Sequence, residues 1–572
     1  MEDRAIPIGI ENYKEIIEKE YYYIDKTLFL KEILDKKGKV NLFTRPRRFG
    51  KTLALSMVKT YFEQEIDKAG EIIDNSHYFQ NMKIMEAGEK YISHMGQYPV
   101  IFLSLKSAKQ PDFEMAYDML KKQIAGEFKR HHYILNADVL MEDERKIYQD
   151  LMLQKAERSE YANALKFLSD CLQKYHEKNT IILIDEYDVP LENSYFEGFY
   201  DKMIKFIRSL FESALKTNDS LEFAIITGCL RISKESIFTG LNNLNINSIL
   251  SGSYAEYFGF TEAEVEQMLK DYALEEKIAE AKDWYDGYLF GNIEVYNPWS
   301  VINYVYTAIT NQNPLPKPYW SNTSSNSIVK DLVEEADEAE REELEILIQG
   351  GTIEKPIHEN ITYADIHESP DNLWNFLFFT GYLKKIKEEL RGNQIYVQLS
   401  IPNREIEYIY QNTIREWFRK QLEHTDLSTL YKAVLEGDCE TFALEVTNQL
   451  LECISYNDYK EDYYHGFLCG LLKGCKGYRV ISNRESGTGR YDIVMRYPSA
   501  RGQAMIMEIK VAATFDELEA GCDKALKQIE EQKYDTDLRK DGYRNITKYG
   551  ICFYKKECMV KKKQIRAYVF GR

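Results

Sequence analysis

The chain has 572 residues, with 74 basic and 92 acidic side chains and a net charge of -18. With 44% hydrophobic and 29% charged residues it has ordinary globular composition, which excludes long disorder, collagen and low-complexity architectures. No run reaches the ~18 consecutive apolar residues of a membrane helix, so no membrane partner is expected.

The length predicts about three or four domains of roughly 150 residues. Met1-Glu2-Asp3-Arg4 leads into no apolar run with a cleavage site, so a secretory signal is not expected. The nine cysteines are scattered from Cys171 to Cys558 without a C-x-x-C pair. Buried, reduced thiols in a cytoplasmic protein follow from that usage. The charge is uneven. Leu451 to Arg572 holds 23 basic and 17 acidic residues, a balance of +6, and the remainder stands at -24. A division of labour along the chain is expected.

Over residues 1–260 short apolar runs alternate with helix-length segments. Val40–Phe43, Val100–Leu103, Ile181–Ile184 and Phe223–Ile226 are predicted strands, with a weaker fifth near Ile249–Leu250. Thr52–Glu65 and Tyr161–Tyr175 are predicted helices. Nearly all-apolar strands alternating with helices predict a parallel sheet covered on both faces, an α/β fold. Residues 261–439 are expected to be a mostly helical lid and connecting domain. Thr261-x-x-Glu264 is a capping box that opens a helix carrying Val265 and Met268. Pro314, Pro316 and Pro318 mark a break, and Asp331–Leu347 is an acidic helix with a solvated face. Residues 440–572 form the last unit. It has a helix over Tyr463–Lys473, strands at Arg479–Asn483, Tyr491–Arg496 and Ala504–Ile509, a helix over Glu517–Tyr534 and a strand at Tyr549–Tyr554.

The first strand runs into Thr44-Arg45-Pro46-Arg47-Arg48-Phe49-Gly50-Lys51-Thr52 and then a helix. A phosphate-binding loop needs backbone N–H groups aimed at phosphate oxygens at a helix N-terminus. Gly50 lets the backbone approach, Lys51 neutralises the β- and γ-phosphates, and Thr52 ligands Mg²⁺. Arg45 stands where the usual G-x-x-x-x-G-K-[ST] pattern has its first glycine. The strand Ile181–Ile184 ends in Asp185-Glu186. Asp185 is expected near the Mg²⁺, with Glu186 polarising the attacking water. The next strand ends at Thr227-Gly228, where a polar residue can sense the γ-phosphate. Arg48, Phe49, Gly50, Lys51, Thr52, Asp185 and Thr227 thus form the expected ATP site, and Arg45, Arg47, Arg48 and Lys51 a basic cluster about the phosphates.

Tyr23-Ile24-Asp25-Lys26-Thr27, Arg45–Thr52 and Phe258-Gly259-Phe260-Thr261 resemble the AAA-ATPase-like family of bacterial and archaeal proteins, over about residues 5–300. Its relatives are the STAND and archaeal ATPases. The resemblance implies an inserted-strand P-loop NTPase core with a helical lid in a prokaryotic protein, and a Walker A loop that tolerates loss of the first glycine. It also makes Asn297-Pro298 similar to a lid proline near the base and Arg231 a candidate sensor arginine. For Asp25 a helix cap is an equal alternative to a functional role.

The second constellation is Gly489-Arg490-Tyr491-Asp492-Ile493-Val494-Met495 followed by Ala504-Met505-Ile506-Met507-Glu508-Ile509-Lys510. An Asp on one strand and Glu-x-Lys at the end of its hairpin neighbour form the PD-(D/E)xK layout. Asp492 and Glu508 converge on Mg²⁺, and alternation puts Lys510 on the face of Glu508. From there it can orient water or neutralise developing charge. The order α-β-β-β-α-β, with Tyr464-His465-Gly466, Ser482–Gly487 and Ala525-x-x-Gln528-Ile529, resembles the PD-(D/E)XK nuclease superfamily. That covers about residues 440–560, a restriction-endonuclease-like domain. Glu461, His465, Glu485 and Gln528 are candidate further site residues.

The expected function is an ATP-binding and ATP-hydrolysing P-loop protein coupled to a Mg²⁺-dependent nuclease. Glu186, Asp492, Glu508 and Lys510 are the catalytic residues. Thr52, Asp185, Asp492 and Glu508 are the metal ligands. ATP and nucleic acid, DNA in preference, are the partners, the latter through the +6 segment. The alternative is an ATP-dependent switch whose nuclease-like domain only binds nucleic acid or a protein. DNA against RNA, endo- against exonuclease, and assembly into a homo-oligomer stay open.

Overall fold

The computed structural model describes residues 4–216, 218–231, 237–238, 243–311, 315–320, 337–359, 369–413, 426–452, 461–486 and 489–566. The chain divides into two compact units. One is Met1–Ile328 with Thr352–Ile409, and the other is Val329–Gly351 with Tyr410–Arg572. Among the described residues no helix is long and apolar enough to cross a membrane.

The strands of the first unit are β1 (Val40–Thr44), β2 (Val100–Ser104), β3 (Thr180–Asp185), β4 (Leu221–Gly228) and β5 (Leu244–Asn247), in the order β2-β3-β4-β1-β5. All pairings are parallel. β1 and β3 are buried at every residue, as their apolar sequences require of strands covered on both faces. The helices include α1 (Lys51–Phe62), α2 (Phe113–Arg130), α3 (Arg158–His176), α4 (Val189–Phe196) and α5 (Tyr200–Leu215). β4 is inserted between β1 and β3, so the C-terminal ends of these three strands lie side by side. Thr227 pairs with Phe43 across one junction, and Ile226 with Ile184 across the other. This is the crevice at which open parallel sheets bind ligands.

The fifth strand is not at Ile249–Leu250, which forms a turn, but at Leu244–Asn247. It is an edge strand. Its side chains alternate Leu, Asn, Ile, Asn, so no apolar run betrays it.

Next come α6 (Glu262–Asp271) and α7 (Pro298–Thr310). The capping box at Thr261 and Glu264 forms as expected. The stretch read as mostly helical also contains a three-stranded antiparallel sheet, β6-β8-β7, from β6 (Ile353–Ile357), β7 (Lys384–Arg391) and β8 (Gln394–Ser400). β7 is largely exposed and rich in lysine and glutamate, which hides its period in the sequence.

In the second unit the acidic helix is α8 (Glu338–Ile348), and residues 331–336 lie outside the described residues, as does Pro314. α9 (Ser428–Glu436), α10 (Cys439–Glu452) and α11 (Glu461–Lys473) precede a sheet of order β9-β10-β11-β12-β13. Its strands are β9 (Arg479–Ser486), β10 (Gly489–Arg496), β11 (Gln503–Val511), β12 (Asn545–Tyr554) and β13 (Glu557–Arg566), and α12 (Leu518–Glu531) crosses from β11 to β12. β13 is a further strand that the sequence reading did not anticipate. β11 and β12 are parallel and the other pairs antiparallel. Both faces are covered. Ile493, Met507 and Ile509 pack with Leu430, Phe442 and Leu468 on one side, and Val494, Ile506 and Ile529 cluster on the other. Gly550 lets α12 approach, because a Cβ there would lie 2.2 Å from the Cys522 carbonyl oxygen.

Candidate functional sites

The loop between β1 and α1 ends on Gly50, the N-cap, in the left-handed region at φ 81°. That conformation is readily open to glycine, and the first N–H groups of α1 have no acceptor within the helix. Lys51, the first helical residue, is nearly buried, and its ammonium donates to the Arg45 carbonyl at 2.9 Å and the Pro46 carbonyl at 2.8 Å. Thr52 donates its hydroxyl to Asp185 Oδ2 at 2.8 Å. Thr227 donates to Asp185 Oδ1 at 2.5 Å, and the Glu186 N–H donates to Thr227 Oγ1 at 3.4 Å. So Thr52 of α1 and Thr227 of β4 meet on the single fully buried carboxylate that ends β3.

Burial raises the Asp185 carboxyl pKa against the pull of Thr227, Thr52 and Lys51. Burial, and then the neighbouring Asp185, raises that of Glu186 as well. A buried carboxylate whose side-chain donors are two neutral hydroxyls keeps a negative charge that a cation there would neutralise. Glu186 is only partly buried, with φ 52°, and stands beside it.

The structure disperses the expected cluster of loop cations. Arg45 is wholly buried and turns away from the loop, donating to the Thr44 and Asn247 carbonyls and lying over the rings of Phe258 and Phe290. Burial lowers its pKa to about 9. It therefore fills the first-glycine position as a core residue. Arg47 pairs with Glu192 on α4. The Arg48 guanidinium lies 4.4 Å from the ring centre of Trp299 on α7. The Phe49 ring is buried against Tyr288 and Phe290, so only its backbone is left to meet a ligand.

Asn297 caps α7 by accepting from the Trp299 and Ser300 N–H groups, with Pro298 as the first helical residue. Arg231 pairs with Glu359 at 3.2 Å, and Ser248 donates to the same carboxylate. Asp25 accepts from the N–H groups of Thr27 and Lys83 and so ties two loops together.

Asp188 went unremarked in the sequence, although Asp185-Glu186-Tyr187-Asp188 shows a third carboxylate. It is buried and accepts from the Cys229 and Leu230 N–H groups at 2.6 and 3.1 Å. It thereby fixes the chain just beyond Thr227. Trp299 and Glu192 were also missed, since their partners on the loop are distant in sequence.

In the second unit, regular pairing of β10 with β11 runs from Arg496↔Ala504 to Ile493↔Met507. One residue further on, the Asp492 carboxylate takes over and accepts the Ile509 N–H at 2.8 Å. Asp492 and Glu508 thus flank the point where the strands part. Glu508 is buried, and its Oε2 has no hydrogen-bond partner among the described residues. Lys510 donates to Glu508 Oε1 at 3.2 Å and stands 3.6 Å from Glu461 on α11.

Burial, and then repulsion from Asp492, pushes the Glu508 carboxyl up to about 7. Lys510 is raised too: burial pulls it down, but Glu508 and Glu461 outweigh that pull. His465 hydrogen-bonds the Asp492 carbonyl at 3.0 Å, an orienting contact from α11. Gln528 donates to the Tyr534 hydroxyl at 3.3 Å. The Tyr534 pKa is raised by burial and further by Glu508 and Asp492, so this pair borders the site. The Glu485 side chain lies outside the described residues. Among the described residues no group of three or more His, Cys, Asp or Glu is set to hold a metal. The orphaned Glu508 oxygen beside Asp492 nevertheless fits a cation, because a buried carboxylate oxygen without a donor is costly otherwise.

Residues 7–238 match the family model described as "Predicted AAA-ATPase", and residues 459–563 match that of the PD-(D/E)XK nuclease superfamily. The chain is 28% identical over 338 residues to an "Uncharacterized protein in vnfD 5'region" of Azotobacter chroococcum mcd 1. The alignment takes in 59% of this chain and 57% of that protein, so the chain spans little more than half of this relative's length.

Proposed function

We propose that this chain, a predicted AAA-ATPase domain joined to a PD-(D/E)XK nuclease-superfamily domain, binds and hydrolyses ATP in its first unit and cleaves nucleic-acid phosphodiesters in its second. The observation that carries the reading is the buried Glu508 oxygen, unpartnered among the described residues, beside Asp492 and Lys510. It is a cation-ready carboxylate at the strand position where a nuclease of this superfamily requires one. The Thr52–Asp185–Thr227 cluster supports the ATPase half.

Mg²⁺ would supply polarisation of a phosphoryl oxygen and a bound water of lowered pKa. Thr52 and Asp185 would hold it in the first site, and Asp492 and Glu508 in the second. In the first site the N–H groups that open α1 and the Lys51 ammonium bind the β- and γ-phosphates. Thr227 holds Asp185 in register, and Glu186 takes a proton from the attacking water. In the second site Lys510 neutralises charge that develops on the phosphoryl oxygens, and Glu461 and Glu508 hold its ammonium in place. DNA is the favoured substrate.

The test is cleavage of labelled DNA and RNA by the full chain with Mg²⁺, with and without ATP. Glu508→Ala is expected to lose cleavage while ATP turnover persists, and Lys51→Ala to lose nucleotide binding. A wild-type chain that binds nucleic acid and cuts none with Mg²⁺ or Mn²⁺ would instead establish the switch reading. Unchanged nucleotide affinity in Lys51→Ala would remove the loop from the site.

A further inference from the structure

The two ends of the sheet in the second unit differ. Asp492, Glu508 and Lys510 stand toward one end. At the other, Arg479 of β9 lies opposite Arg496 of β10, Arg496 opposite Ala504 of β11, and Gln503 opposite Asn545 of β12. Three connections therefore meet there: residues 473–479 from α11 to β9, 496–503 from β10 to β11, and 540–545 into β12. Two contacts join them. The Tyr543 hydroxyl donates to the Tyr497 carbonyl, and the Tyr478 and Tyr497 rings meet edge to face with centres 5.6 Å apart. These connections hold seven basic side chains and one acidic. Taking them from the 23 basic and 17 acidic residues of 451–572 leaves 16 of each, so the whole excess of that segment lies at this end. The one carboxylate, Asp541, is taken by Arg496. Lys473, Lys476, Arg479, Arg501 and Arg544 are exposed, and none of them pairs with a carboxylate among the described residues. Tyr497 stands among them, 43% exposed. Its ring rests on Gly502, where a Cβ would lie 2.7 Å from Tyr497 Cδ1. The φ of Gly502 is outside the left-handed region, so the closeness of the ring is what calls for glycine. The ring is thus backed on one side and open on the other.

We propose that this end of the sheet docks a single-stranded stretch of the nucleic acid whose scissile bond lies at the other end. The inference rests on the reading of the second unit as a nuclease. The unpaired cations meet the phosphates, and Tyr497 takes an unpaired base on its open side. A duplex keeps its base faces in its own stack, and a polyanion without bases leaves the ring unused. An exposed ring among cations therefore fits a single strand better than either. The four residues from Asp492 to Arg496 span about 13 Å at the rise of a strand, so one short strand reaches both ends. The docking surface touches no reacting atom. It holds the substrate near Asp492 and Glu508 and so acts on KM, not on kcat.

The experiment compares the full wild-type chain with two variants, one carrying Arg479→Gln, Arg501→Gln and Arg544→Gln together and the other Tyr497→Leu. Binding of a labelled single-stranded oligonucleotide, and of the same sequence as a duplex, is read by fluorescence anisotropy over a salt series without divalent metal. Cleavage of the single strand with Mg²⁺ gives kcat and KM. The arginine variant is expected to bind the single strand about tenfold more weakly at low salt, with a log–log salt slope flatter by about 2. Tyr497→Leu should weaken the single strand about tenfold, leave the duplex nearly unaffected and keep the salt slope. In both variants KM should rise by a matching factor while kcat holds. Unchanged single-strand affinity and slope in the arginine variant would overturn the docking surface. So would Tyr497→Leu weakening single strand and duplex alike, which would make the ring a packing residue, or inorganic polyphosphate displacing the strand as well as an unlabelled oligonucleotide does. A wild type that binds the strand and cuts none, with binding lost in both variants, would refute cleavage and leave the docking surface standing. A wild type that cuts the strand with both variants unaltered would do the reverse.

Discussion

Glu405→Gln is the substitution whose effect the structure determines most closely. Glu405 is fully buried in the first unit, and its carboxylate accepts from Ser300 Oγ and the Trp320 N–H, each at 2.8 Å. No cation among the described residues lies beside it, and burial pushes its pKa from 4.5 up to about 7. The folded chain therefore holds this proton more tightly than the unfolded chain. The stability linked to it is complete below pH 4.5 and is lost as pH rises through 7. A shift of that size costs about 3 kcal/mol at pH 8 and about 0.8 kcal/mol at pH 5. Glutamine cannot ionise and still offers an oxygen to the Trp320 N–H, while the Ser300 hydroxyl can rotate to accept from its amide. Allowing about 1 kcal/mol for imperfect hydrogen bonds, Glu405→Gln should be about 2 kcal/mol more stable than wild type at pH 8 and level with it at pH 5. Urea unfolding of the full chain at the two pH values, followed by tryptophan fluorescence, reads the difference. The signal suits the first unit, because Trp284, Trp299, Trp320 and Trp374 all belong to it. Equal destabilisation at both pH values would refute the argument, since the carboxylate would then act through its hydrogen bonds alone.

His176 hydrogen-bonds the Tyr133 hydroxyl, which in turn bonds His131, and burial lowers the His176 pKa to about 4. The unfolded chain then takes up a proton that the folded chain refuses. About 2 kcal/mol should be lost between pH 7.5 and 5, and a His176→Gln profile as steep as the wild type counts against this. Asp188→Ala leaves the Cys229 and Leu230 N–H groups without their acceptor. A loss of about 2 kcal/mol is expected, with a fall in kcat and little change in KM; unaltered turnover would separate Asp188 from Thr227. Gly550→Ala sets a Cβ 2.2 Å from the Cys522 carbonyl oxygen and 2.9 Å from Leu526 Cγ. It should destabilise the second unit by about 1–3 kcal/mol or more, visible as faster hydrogen exchange in β11 and β12.

The strands that carry the sites were legible because they are buried on both faces and so are apolar throughout, Ile181–Ile184 most plainly. β5 was not. Its asparagines serve local contacts, Asn245 donating to Asn41 Oδ1 at 3.1 Å and Asn247 offering its carbonyl to Arg45. β7, with Lys384, Lys387, Glu388 and Glu389, has the composition of a surface helix and is a strand only because β8 pairs with it. Thr52, Asp185, Thr227, Glu508 and Lys510 were readable from strand ends and spacing. The direction of a side chain on the loop was not readable. Arg45 turns inward because Phe258 and Phe290, more than two hundred residues away, provide the rings it lies on. Arg48 answers to Trp299 in the same way.

The +6 balance of the C-terminal segment takes on a different meaning once its contacts are considered. Lys561 bonds Asp523 and Glu519, Lys563 bonds Glu530, Arg496 bonds Asp541, and Arg539 and Lys548 share Asp535. Much of the positive charge is thus already neutralised within the unit and does not form one open patch. Exposed pairs of this kind contribute only about 0–1 kcal/mol each, so a phosphate backbone can take over a lysine at small cost. What it cannot do is gain the full counterion-release term for every cation, since a carboxylate is left behind at each exchange. Lys548 belongs to a different class. It is nearly buried and 3.7 Å from Asp535, and a phosphate cannot reach it without unpacking β12. If the second unit acts on nucleic acid as proposed, its binding should be weak, nearly indifferent to sequence and less steep in salt than the number of its cations alone would give. Specificity would then have to come from the geometry at Asp492, Glu508 and Lys510, or from what ATP does in the first unit.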